Sequence, residues 1–152
     1  MLMALTANKN YLSSESFRLV ISRTDYPNLE YFCNSAMHPD VSVGESTTPN
    51  ARLDHFSPGD KMTMGTLTCS IILDEDMESY KEVFKWCENI VNGKTNDTAD
   101  LALQILSSKN NVLNTINYID AFPTNVSNLQ FTTNTNEYIT FDVTFRMRYF
   151  TI

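Results

Sequence analysis

The stretch Ile139-Thr140-Phe141-Asp142-Val143-Thr144-Phe145-Arg146-Met147-Arg148-Tyr149 alternates apolar and polar side chains without a break. Successive side chains of an extended strand point to opposite faces. Ile139, Phe141, Val143, Phe145, Met147 and Tyr149 therefore share one face, and Thr140, Asp142, Thr144, Arg146 and Arg148 the other. A strand with one dry and one wet face belongs to a sheet that packs on a core from one side, so this end of the chain predicts a mainly β domain.

Leu129–Thr133 is expected to pair with that strand across Asn134-Thr135-Asn136. Further upstream, Leu101–Ser107 and Val112–Phe122 read as strands joined by Lys109-Asn110-Asn111, although Asp100–Leu106 could also make a short helix. Between Tyr80 and Val91 the period changes. Tyr80, Val83, Phe84, Cys87, Ile90 and Val91 recur at spacings of three and four, which predicts one amphipathic helix with Trp86 a step off its stripe. Asp74-Glu75-Asp76 precedes it, where an acid can accept the orphan amides of a first turn, and Gly93 supplies its stop. Lys94–Ala99 is a polar loop.

Toward the N-terminus, Lys61–Leu73 reads as a long strand, with Leu67, Cys69 and Ile71 opposite Thr66, Thr68 and Ser70. Val41–Thr47 alternates but is poor in core residues, as a strand facing water or another subunit would be. Thr48–Gly59 carries Pro49, Asn50, Asp54, Pro58 and Gly59 and is predicted to be an extended loop; a polar segment of that length in a compact domain has a partner or a function. Ser16–Ser22 reads as a strand, Asp25-Tyr26-Pro27-Asn28 as a turn, and Glu30–Ala36 as a strand returning antiparallel to the first. His38-Pro39-Asp40 interrupts it, since proline cannot donate to a ladder.

The 152 residues, with 42% hydrophobic and 19% charged side chains, describe one globular domain, 1–152, with its core over about 16–150 and the extended loop at 48–59. The fold class is α+β, mainly β: two packed antiparallel sheets, sandwich- or barrel-like, with one flanking helix. Lys and Arg number 11 against 18 Asp and Glu, a net charge of −7, which disfavours a cationic nucleic-acid grip. Cys33, Cys69 and Cys87 form an odd set without CxxC spacing, so free thiols packed on apolar faces are expected rather than a disulfide framework or zinc site. The start lacks a signal-peptide pattern, and no window holds about 18 consecutive apolar residues. The expectation is neither secretion nor a membrane span, which leaves the sequons at Asn96 and Asn125 without meaning.

No residue pattern points to catalysis. His38 and His55 lack metal-ligand spacing, the three acids are explained by a helix start, and no phosphate-cradling or nucleophile motif is present. No cofactor or metal is expected, and the chain is expected not to be an enzyme. Arg146, Arg148 and Asp142 share a wet strand face, where solvation or an ion pair is the expected role.

Several segments carry a further signal through their order: Phe17-Arg18-Leu19-Val20-Ile21-Ser22, Tyr31-Phe32-Cys33 leading to Pro39, Pro58-Gly59-Asp60, and the helix containing Phe84-Lys85-Trp86. Phe122-Pro123-Thr124-Asn125-Val126-Ser127-Asn128-Leu129-Gln130 and Phe141-Asp142-Val143-Thr144-Phe145 complete the set. From about Phe17 to Tyr149 the chain resembles the tail tube proteins of contractile-tailed, T-even-like bacteriophages, most specifically in Pro-Thr-Asn-Val-x-x-Leu-Gln. The resemblance implies a non-enzymatic subunit of a phage tail. Six copies would close a ring with a β-barrel lumen, and rings would stack into a tube inside a contractile sheath. The implied partners are the chain itself, the sheath protein, the baseplate tube initiator, the tail terminator, and DNA passing without specific binding. The implied location is the virion, after assembly in the host bacterial cytoplasm. The extended loop, with Pro49, Asn50, Arg52, His55 and Pro58, would reach adjacent subunits; Glu45, Gln104 and Asn117 are candidate lumen residues. Two other readings stand beside this one: a tube protein of a type VI secretion or extracellular contractile injection system, and a small monomeric α+β ligand-binding domain built around His38, His55 and the acids.

Overall fold

A computed structural model describes residues 11–12, 14–21, 26–93, 98–134 and 136–152. Its elements in order are β1 (Phe17–Ile21), α1 (Pro27–Tyr31), β2 (Cys33–Met37), β3 (Val41–Thr48), β4 (His55–Met64), β5 (Leu67–Ile72), α2 (Glu78–Val91), β6 (Ala99–Leu106), β7 (Val112–Val126), β8 (Thr140–Arg146) and β9 (Tyr149–Thr151).

Two layers form the body, and both belong to one antiparallel sheet in the order β1-β6-β7-β8-β5-β2, with β9 added to β7. The device that folds this sheet is β7, 15 residues long. Its first part pairs with β6 and β9, and its last part, Phe122–Val126, pairs with β8. Between them Asp120 takes a left-handed backbone, φ 52°, which Asp tolerates better than most residues because its short side chain bonds locally. The Asp100 carboxylate accepts the Asp120 amide at 3.0 Å, and Arg148 pairs with Asp120 at 3.6 Å.

The core lies between the layers. Leu19, Leu101, Leu103, Ile116 and Tyr118 face inward from one, and Leu67, Cys69, Ile71, Phe141, Val143 and Phe145 from the other. α2 closes the space between them. Trp86 is fully buried, stacked on Tyr26 with ring centroids 4.6 Å apart and tilted against Phe145 at 5.7 Å, while Tyr80 meets Phe141 edge-on at 5.5 Å. α1 is tied to α2 by Glu82, whose carboxylate accepts the amides of Asn28 and Leu29 at 3.2 and 3.1 Å.

The alternating strand at the C-terminal end is present but breaks at Met147-Arg148 into β8 and β9, which join different parts of the sheet. Several expectations need correction. Leu129–Thr133 forms no strand, and β8 instead lies between β5 and β7. Pro27–Asn28 opens a helical turn, because proline suits a first helical position, so the following strand begins only at Cys33. That strand pairs with β5, not with β1. The Ser22 end of the first strand, Asp25, and Lys94–Asp97 of the polar loop lie outside the described residues. Lys61–Leu73 is two strands separated at Gly65-Thr66. Thr48–Gly59 is half loop: residues 49–54 form a tip, and the rest is strand. The buried face of α2 is Ser79, Val83 and Trp86, while Phe84 and Val91 are 53% and 85% exposed. Of the expected stripe, Tyr80, Val83, Cys87 and Ile90 pack on the core, whereas Phe84 and Val91 at its edge face out, so the true face is rotated toward Trp86.

Candidate assembly surfaces

β3 and β4 pair only with each other, and nearly every residue in them is exposed. They make an arm that continues the β2–β5 pair beyond the body, fastened at its base where the Gly65 amide donates to the Asp40 carbonyl at 2.9 Å. Eight residues in β3 at about 3.3 Å each give it a reach of about 25 Å. The register sets its faces: Val41 opposes Met64, Val43 opposes Met62, Glu45 opposes Pro58 and Thr47 opposes Phe56. One face is therefore mostly apolar, and the other carries Ser42, Ser46, Thr48, Thr63, Ser57 and His55. A bulge between Val43 and Glu45 lets four steps of β4 match two of β3. Gly59 makes it possible, because a Cβ there would stand 2.7 Å from the Gly44 carbonyl oxygen.

The sheet ends in two edge strands, β1 and β2, each paired on one side only, which come near each other without joining in a ladder, and β9 likewise has a partner on one side only. Free ladder edges of this kind are templates for another chain. Between α1 and the β1–β6 edge lies an open, mainly polar groove of about 750 Å³ with Phe17, Tyr31, Leu106 and Val112 in its lining and Arg18 and Glu30 among its polar groups. Glu30 reaches the Ile21 amide at 3.5 Å.

Among the residues singled out by sequence, Pro49, Asn50 and Arg52 lie in the arm's tip, and His55 and Pro58 in β4, so all five are on one element. His55 Nε2 is 3.5 Å from the Asn50 side-chain nitrogen Nδ2. Gln104 and Asn117 share the solvent side of one layer, in adjacent rows: Arg18–Gln104–Thr115 and Val20–Ala102–Asn117–Thr151. Glu45 is apart from them, on the arm. Two features had escaped sequence reasoning. The apolar arm face was legible as Val41/Val43 set against Met62/Met64, but the Pro58-Gly59 pair disguised it; the groove had no local signal, since its walls come from distant segments.

The titratable groups serve structure. Burial alone would raise the Asp74 pKa, but bonds from the Ser79 amide and hydroxyl (3.1 and 2.9 Å) and the Glu78 amide (3.1 Å) hold it below the usual carboxylate value. His38, at the arm's base, sets Nδ1 2.8 Å from the Tyr118 hydroxyl and packs edge-on to Phe150 at 4.6 Å; burial lowers its pKa. The Tyr118 pKa is pushed up by the same cause. Cys69 is buried, and the hydrogen bond with Cys33 together with burial pushes its thiol pKa up; Cys33 and Cys87 are half-buried. Among the described residues no group of three or more His, Cys, Asp or Glu is placed to hold a metal, and no helix is long and apolar enough to cross a membrane.

The sequence profile of the T4-like virus tail tube protein gp19 matches residues 40–151, from the arm to the last strand. The chain belongs to this tail tube family. No curated protein matches it in sequence. Solved structures share the family's fold. A chain of the sheath-tube complex of an extracellular contractile injection system, PVC, in its extended state superposes with a TM-score of 0.74 at 16% identity, covering 94% of this chain and 91% of that one. A chain of the sheath/tube terminator of the same type of system gives 0.72 at 16% identity, covering 95% and 98%. Hcp1 from Flavobacterium johnsoniae gives 0.53 at 14% identity, covering 90% and 93%.

Proposed function

We propose that this tail tube family member is the repeating structural subunit of a phage tail tube. Six copies close into a ring around a β-barrel lumen, rings stack, and the stack forms the conduit for DNA ejection within a contractile sheath. The observation that carries this reading is the arm: an amphipathic ribbon whose apolar face its own domain leaves open, in a chain of the tube family. Pairing of the free edges of β1, β2 and β9 between copies removes the aggregation hazard that such edges pose. In this reading Pro49, Asn50, Arg52, His55 and Pro58 meet a neighbouring subunit. Gln104 and Asn117 face the channel from the open side of their layer, with Glu45 near its rim.

The chain is not an enzyme in this role and needs no cofactor. Its remaining partners are the sheath protein, the baseplate tube initiator and the tail terminator, the last two bounding the stack. The tube assembles in the host cytoplasm and ends in the virion. The match to a T4-like virus family supports a phage tail over the injection-system tubes that share the fold. Negative-stain microscopy of the purified protein tests the proposal: stacked rings or rods are expected, and a monomer that stays monomeric in the presence of a tube initiator would remove it.

A further inference from the structure

We propose that Cys33 is an oxidation site for hydrogen peroxide and that buried Cys69 resolves it, the two closing into a disulfide that staples β2 to β5 at the root of the arm. The inference concerns the single subunit and stands apart from the tube reading.

The ladder puts both thiols on one face. β2 and β5 run antiparallel, with Cys33 opposite Ile71 and Cys69 opposite Ala36, so the two cysteines lie on a diagonal of neighbouring strands and both pack on the core. The thiols are hydrogen-bonded to each other, and that bond favours the Cys33 thiolate against the effect of burial. Their surroundings differ. Cys69 is fully buried, whereas Cys33 is half-buried and lines the open polar groove beside α1, through which a small peroxide can reach it. An accessible thiol beside a sheltered one is the arrangement in which a sulfenic acid forms and is then trapped. Diagonal Cα atoms in a regular ladder stand about 7–8 Å apart and a disulfide spans about 4.4–6.8 Å, so the strands have to close slightly. They have the play to do so: between Cys33 and Ser35 the register shifts, two steps of β2 matching one of β5, and β2 is held on one side only.

The Cys33 thiolate attacks one peroxide oxygen and breaks the O–O bond, giving Cys33 sulfenic acid and a hydroxide that takes up the thiol's proton as water. The Cys69 sulfur then attacks the Cys33 sulfur, and the sulfenic hydroxyl leaves with the Cys69 proton as a second water. Two thiols give up two electrons and the peroxide gains them. The loop closed between Cys33 and Cys69 contains the whole of β3 and β4, so the staple ties the two roots of the arm together.

The test uses the full chain, reduced, freed of reductant, treated with hydrogen peroxide, unfolded in iodoacetamide and digested without reduction for mass spectrometry. The expected product is a Cys33–Cys69 link two hydrogens lighter than its separate peptides, in a chain that runs as a monomer on a non-reducing denaturing gel, with Cys87 alkylated. In Cys69→Ala, dimedone should trap the sulfenic acid on Cys33, and in Cys33→Ser the same treatment should leave Cys69 open to alkylation. Cys69 recovered alkylated from the wild type, whether Cys33 is untouched, over-oxidised or linked to another chain, would overturn the inference, and so would a link through Cys87. That wild-type map needs no variant to fold.

Discussion

Asp74 holds α2 from outside the helix. The residue at the N-cap position, Met77, has a left-handed backbone (φ 57°) and no side-chain cap, so the amides of Glu78 and Ser79 go to Asp74 instead. Asp74→Ala is expected to cost about 1 kcal/mol of stability, measured by urea denaturation at neutral pH. Because the folded carboxyl pKa lies below the unfolded value, this contribution is present above the ordinary Asp pKa and is lost as pH falls through the lowered one. The wild type and the variant should therefore converge in strong acid, and a difference that persists there would reject the cap. Trp86→Ala should cost about 3–5 kcal/mol, whereas Phe84→Ala should stay within about 1 kcal/mol. Equal losses at the two sites would mean that the buried face of α2 has been misplaced. The helix was legible in the sequence, but not its rotation. Phe84 and Val91 are as apolar as Val83, and periodicity cannot choose between the two halves of an apolar arc wider than the surface it covers.

The arm is where sequence pattern and structure part most. Proline and glycine punctuate loops, so Pro58-Gly59 conceals a strand; in the folded chain Gly59 sits in a bulge because only a residue without Cβ passes the Gly44 carbonyl. Gly59→Val is expected to leave the body's denaturation midpoint unchanged and to impair polymerisation, since the clash falls on backbone and must bend the arm. Joining Val43 to Met62, which oppose each other, through an Asn-Gly turn removes the outer half of the arm at a place where the ladder is already closed. That variant should be soluble, folded and unable to form tubes in sedimentation; tubes of wild-type length would show the arm to be dispensable. β8 by contrast was plain from sequence, because both of its faces report directly on their surroundings. Assembly surfaces do not, since the partner that makes an apolar residue sensible lies outside the chain.

At the scale of the whole molecule, a formal charge of −7 per subunit bears on passage of DNA, which carries one negative charge per about 1.7 Å. Isolated tubes are expected not to retain duplex DNA, even at low salt. Retention that weakens steeply with added salt would mean a cationic wall, for which the face bearing Arg18 would be the first place to look. The wall itself can be located by thiol access in assembled tubes, with the native cysteines as background. Asn117→Cys should react with a small maleimide and resist a bulky polymer-linked one, and equal reaction with both would put that face outside the channel. The path of β7 through both layers has a mechanical consequence. A load applied to either layer during contraction of the surrounding sheath reaches the other through covalent bonds, so a subunit pulled from one face should rupture in a single force peak and never peel apart leaf by leaf.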